Sequence, residues 1–157
     1  MNDDSRRMQP YNPGRAGLSL IQSGVDDVRE LIAGMLERYK VAFFSKDVEA
    51  LVELYDRDAR IFDACTQGSY EGLGAWRRCV KAWFDSLPDE RLLVVSEGME
   101  IAASGELGAA QGFMMYTAMS RSGIERPSMK NRFTWIVERR FGVWKVVHEH
   151  TSLAGSS

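Results

Sequence analysis

Along residues 25–44 the apolar positions Val28, Leu31, Ile32, Met35, Leu36, Tyr39 and Phe43 return every three or four residues, which lays one apolar stripe along a helix from Val25 to about Phe44. Tyr39 lies on that stripe. Asp47 stands where it caps a second, short helix whose Val48, Leu51, Val52 and Tyr55 share a face. ARIFDA, residues 59–64, reads as a short strand, and the turn-rich CTQGSYEG leads into a third helix carrying Leu73, Trp76, Val80, Trp83 and Phe84, which Pro88 closes off. The rest differs in kind. RLLVVSEGMEIAASG, ELGAAQGFMMYTAMSRSG, PSMKNRFTWIVERRFG and VWKVVHEHTSL are long runs divided by turn residues such as Ser104-Gly105 and Gly142, and they predict four sequential antiparallel strands. Helices first and a meander afterwards predict an α+β chain, with three N-terminal helices packed on one face of a strongly curved antiparallel sheet that encloses a pocket.

Residues 1–24 are polar, broken by Pro10, Pro13, Gly14, Gly17 and Gly24, and read as a flexible N-terminal arm with a short ordered piece at LSLI; residues 25–153 form the domain and 154–157 a tail. A length of 157 residues suits one domain with a core of its own. Charge is balanced, with 20 Lys and Arg against 22 Asp and Glu, which argues against nucleic acid and anionic membranes as partners. Cys65 and Cys79 lack metal-like spacing and read as small buried hydrophobes. The N-terminus has no apolar signal core and no run approaches the ~20 apolar residues of a membrane span, so a cytoplasmic setting is expected.

The candidate chemistry collects near the end of the chain. Strand alternation puts Trp144, Val146, His148, His150 and Ser152 on one face of the last strand and Lys145, Val147, Glu149 and Thr151 on the other. In the strand before it, Arg132, Thr134 and Ile136 oppose Asn131, Phe133 and Trp135. An Arg and two His on adjacent strands would line one pocket, the Arg binding a carbonyl or anionic oxygen and a His exchanging protons near neutral pH. The same pattern equally fits histidines that cap a core or sit at a subunit interface. A metal would need a third ligand, with Asp63 or Glu97 as donors, and none is expected; nor is a cofactor. Asp63 ends an apolar strand, where desolvation would raise its pKa and make it a general base, or where it would simply accept turn N–H groups. Tyr39 is either a core aromatic or a donor aimed into a cavity. Phe43, Trp76, Trp83, Phe113, Met114, Met115 and Tyr116 suit the walls of an apolar small-molecule pocket, or plain core. Arg77-Arg78 and Glu138 to Arg140 read as solvated faces.

Two stretches, ERYKVAFFSKDVEALVELYDRDARIFD and NRFTWIVERRFGVWKVVHEHTS, resemble the NTF2-like superfamily, in particular its SnoaL-like and ketosteroid isomerase-like branch, over about Val25 to Leu153. The resemblance implies a cone of curved sheet closed by helices over a pocket, and a homodimer packed through the outer sheet face. It aligns Tyr39 with the oxyanion-hole tyrosine and Asp63 with the proton-moving aspartate of the isomerase-like enzymes. Where those enzymes hold a protonated acid beside the tyrosine, this chain has KNRF, so Asn131 or Arg132 occupies that place. The implied function is a cofactor-independent isomerase or cyclase acting by acid-base chemistry on an apolar, carbonyl-bearing substrate. Asp63 would be the base, Tyr39 and Arg132 would stabilise the oxyanion, and His148 or His150 would relay protons. The alternatives are a non-catalytic domain that binds an apolar or aromatic molecule or assembles, and a dehydratase built on a His and Asp pair.

Overall fold

The computed structural model describes residues 13–64 and 68–155, with side chains from residue 24 onward. Cys65, residues 1–12 of the expected arm and the last two residues of the tail lie outside the described residues. Helix α1 spans Pro13–Ser45, so residues 13–24, expected in the arm, are helical. Proline suits a first helical turn, and Leu18, Ile21, Val25 and Val28 continue the same apolar period in sequence. Ile32, Met35, Leu36, Tyr39 and Phe43 of its stripe are buried as expected. Helix α2, Val48–Val52, starts at Asp47, whose carboxylate accepts the Ala50 N–H at 2.9 Å.

Strand β1, Tyr55–Phe62, begins earlier than ARIFDA. Tyr55 therefore opens a strand instead of closing a helical face, and Asp63 follows the strand's last residue. Strand β2, Tyr70–Glu71, pairs with β1, and helix α3 spans Leu73–Asp85. The meander is β3, Glu90–Ser104; β4, Leu107–Ser120; β5, Met129–Arg140; and β6, Val143–Leu153. The six strands lie in the order β2-β1-β6-β5-β4-β3, with β1 parallel to β6 and the other neighbours antiparallel.

Bulges bend the sheet. In β3 the register slips between Glu97 and Glu100 around Gly98, whose φ is 59°. Gly112 of β4 lies against that bulge so closely that a Cβ there would stand 2.9 Å from the Met99 Cα. In β6 the register slips at Val147: Val146 pairs with Val137, but His148 pairs with Ile136. The extra residue reverses the alternation, so Val146 faces the core while His148 faces away from it. The apolar core fills the space between the helices and the concave sheet face, where Tyr39 packs edge-on or tilted against Phe43, Phe133 and Trp135 at centroid distances of 4.6–5.8 Å.

Candidate functional site

A cavity of about 730 Å³ lies between α1, α3 and the concave face of β4, β5 and β6. Phe43, Trp76, Val80, Trp83 and Met129 give it apolar walls. Its polar groups come from facing strand positions, because alternation sends Asn131 of β5 and Glu149 and Thr151 of β6 to the same side as the core.

Glu149 is 1% exposed. Its Oε2 accepts from the Trp135 indole Nε1 at 2.7 Å and from the Tyr55 hydroxyl, leaving Oε1 outside both bonds. Burial pushes its carboxyl pKa up to about 7; the two hydrogen bonds pull it down, and the nearby charge of Asp63 adds to the rise. Two residues on, the Thr151 hydroxyl donates to Asp63 Oδ1 at 3.3 Å and accepts from the Ala64 N–H at 3.1 Å. Asp63 itself is half-buried and lines the cavity. Across from the carboxyls, the hydroxyls of Tyr39 and Tyr116 share a hydrogen bond of 2.7 Å. Burial, and then the neighbouring Tyr116 and Glu149, raise the Tyr39 pKa well above the ordinary phenol value, so it stays a neutral donor.

Of the residues singled out in the sequence, the cavity brings together Tyr39, Asp63, Asn131, Phe43 and Trp83. It does not include His148, His150, Arg132, Phe113 or Met115. Because of the Val147 bulge, the two histidines lie on the opposite sheet face, flanking the Phe62 ring at 5.0 and 5.6 Å, with His148 Nδ1 2.8 Å from the Arg60 carbonyl oxygen. Arg132 pairs across strands with Ser152 and Phe113 on that same outer face, and its guanidinium donates to the Leu153 carbonyl at 2.7 Å. Phe113 carries the Lys130 ammonium 4.6 Å from its ring centre, and Met115 sits opposite Lys130. The cavity's lining therefore has carboxyls and tyrosines where an Arg and two histidines were expected, and both histidines lie outside the cavity that Asp63 lines. Arg78, read as solvated, is exposed but reaches the cavity rim. Among the described residues no three His, Cys, Asp or Glu side chains gather as a metal site. Glu149, Tyr55 and Trp135 were not singled out, and Tyr116 was read only as core or cavity wall. The available signal was a lone carboxylate in mid-strand, directly across from a tryptophan, on the face opposite the histidines.

A curved sheet with helices over its concave face and a polar-studded cavity defines an NTF2-like protein. Solved structures share this fold. An NTF2-like protein of unknown function from Pseudomonas putida superposes with a TM-score of 0.72 at 21% identity, over 83% of this chain and 89% of its own. An NTF2-like protein with a cystatin-like fold from Novosphingobium aromaticivorans gives 0.69 at 22%, over 96% and 94%. Aln2 from a Streptomyces species gives 0.69 at 10%, over 92% and 94%. At these identities the likeness is one of fold. The SnoaL-like domain family matches residues 32–156, and the chain belongs to that family. No curated protein matches it by sequence. Among the described residues no helix is long and apolar enough to cross a membrane.

Proposed function

We propose that the protein is a cofactor-independent enzyme that moves a proton within a neutral, apolar, carbonyl-bearing small molecule, as an isomerase or cyclase does. The observation that supports this most is the convergence of a carboxyl pair, Asp63 and Glu149, with a hydroxyl pair, Tyr39 and Tyr116, in one largely apolar cavity. With Tyr116 donating to Tyr39, the Tyr39 O–H is left to bind the substrate carbonyl and to stabilise the enolate oxygen. Asp63, nearer the solvent, takes the α-proton. Glu149, with its pKa at about 7, donates its own proton to another carbon, and exchange with solvent then deprotonates Asp63 and reprotonates Glu149. Two carboxyls whose environments differ in this way divide the roles of base and acid.

The reaction can be detected before its product is identified. A panel of cyclic and aryl ketones is incubated with the protein in deuterated water, and deuterium at the α-carbon is followed by NMR. Catalysed exchange is expected with a subset of the panel, reduced by roughly 10²–10⁴-fold in Asp63→Asn and by about 10²-fold or more in Tyr39→Phe. Ketones that bind but never exchange faster than in buffer would leave a binding module as the better reading.

We also propose a homodimer packed through the outer sheet face. That face exposes Val95 by 43% and Leu93 by 36%, and carries Phe113, Met115, Ile136 and the two histidines beside them.

A further inference from the structure

Among the described residues, two buried side-chain polar atoms have no hydrogen-bond partner: the Trp76 indole Nε1 and the Asn131 amide Oδ1. Both belong to cavity walls, one on helix α3 and the other on strand β5, and their residues are 4% and 2% exposed. A buried donor or acceptor left unpaired is unfavourable, and native proteins rarely keep one without a reason. Here the two are of opposite kind. An indole N–H only donates, and an amide oxygen only accepts. A rotated Asn131 would present its NH₂ group where its oxygen now lies, and that orphan would call for an acceptor instead; a ligand hydroxyl, which both donates and accepts, serves either orientation.

We infer that Trp76 and Asn131 are specificity residues that select ligands bearing oxygen functions beyond the reacting carbonyl: an oxygen acceptor seated on the Trp76 N–H and a hydroxyl or amine hydrogen given to Asn131. This rests on the reading of the cavity as a small-molecule site and adds the substrate class. The ligand is then a hydroxylated ring ketone, apolar on its faces, where it meets Phe43, Trp83 and Val80, and polar at separate points on its rim. The plain ketone fills the same space but leaves both buried atoms unpaired, as they are in the free protein. Sites built to pair a hydroxyl discriminate strongly against the analogue that lacks it.

The experiment compares ketones that differ only in hydroxylation: flavanone with its 7-hydroxy, 4′-hydroxy and 4′,7-dihydroxy forms, and 1-tetralone with its monohydroxy forms. Dissociation constants are measured by calorimetry at pH 6, where the phenols are neutral. At least one hydroxylated member should bind about tenfold to a hundredfold more tightly than its parent, the range expected when a buried orphan gains a partner. Trp76→Phe, which keeps the ring and loses the donor, and Asn131→Leu, which keeps the volume and loses the acceptor, should each collapse that ratio for their own oxygen. Asn131→Leu carries a second, ligand-free readout. If the amide exists for a ligand, removing it leaves the thermal midpoint of the free protein unchanged or higher; if it holds the fold, the midpoint drops. Equal affinities for parent and hydroxylated members on both scaffolds, no binding by any hydroxylated member, or a destabilised Asn131→Leu protein would each overturn the proposal. Failure here is separable from failure of catalysis. A hydroxyl preference without deuterium exchange leaves a selective binder, and exchange without a hydroxyl preference leaves an enzyme with another basis for choice.

Discussion

Glu149 has its whole carboxyl group withdrawn from water and only two donors, Tyr55 and Trp135, to replace it. The folded protein therefore binds a proton there up to pH about 7, whereas the unfolded chain releases it near 4.5. Between those values the folded state holds more protons. The stabilisation is complete below about 4.5, fades as pH rises through about 7, and amounts to about 3 kcal/mol. Denaturant midpoints of the wild type should fall between pH 5 and 8 relative to those of Glu149→Gln, which cannot titrate; parallel curves would sink the assignment. The residue that carries this effect sits between two histidines that draw the eye in sequence. Tyr39 and Asp63 were legible because a helical stripe and a strand end mark them. Glu149 was not, because nothing in the alternation of HEHTS says which face of the strand is concave.

Element boundaries followed the apolar period closely where it was regular, as at the end of α1, in α3 and in the meander, and failed at the start of α1, which begins at Pro13 instead of Val25, and where the chain departs from regularity. Tyr55 fits the apolar face of α2 by spacing, yet its partner Val146 draws it into β1. A strand's alternation can be read only while no residue is extra, and the Val147 bulge adds one, which sends Val146 inward and His148 outward. The other bulge makes its own demand. Gly112 faces the Glu97 and Gly98 carbonyl oxygens as well as the Met99 Cα, all within 3.1 Å of where a Cβ would lie. These are backbone atoms, so relief requires the bend itself to shift. Gly112→Ala should lower stability by roughly 1–3 kcal/mol in urea unfolding, whereas Gly105→Ala, in open space, should be affected only through its positive φ of 59°. A neutral Gly112→Ala would show that the bulge is not tightly held.

For the whole molecule, helices followed by a four-strand meander were enough to give the fold, because such a sheet has one face to cover and three helices to cover it. The other face is left with apolar and histidine side chains, which is the physical basis for the proposed dimer. Val95→Arg, placed beside Met115 and near Lys130, should halve the mass measured in solution by light scattering; a wild-type protein already monomeric at micromolar concentration would remove the need for that interface. The half-titrated carboxyl inside the cavity has one more effect, on the thermodynamics of complex formation. An apolar guest seated in the cavity against Glu149 replaces solvent there with low-dielectric atoms and raises its proton affinity further. The complex then forms near pH 7 by drawing a fraction of a proton from the medium. The heat released varies with the ionisation enthalpy of the buffer that supplies it, and the apparent affinity weakens as the solution becomes more alkaline.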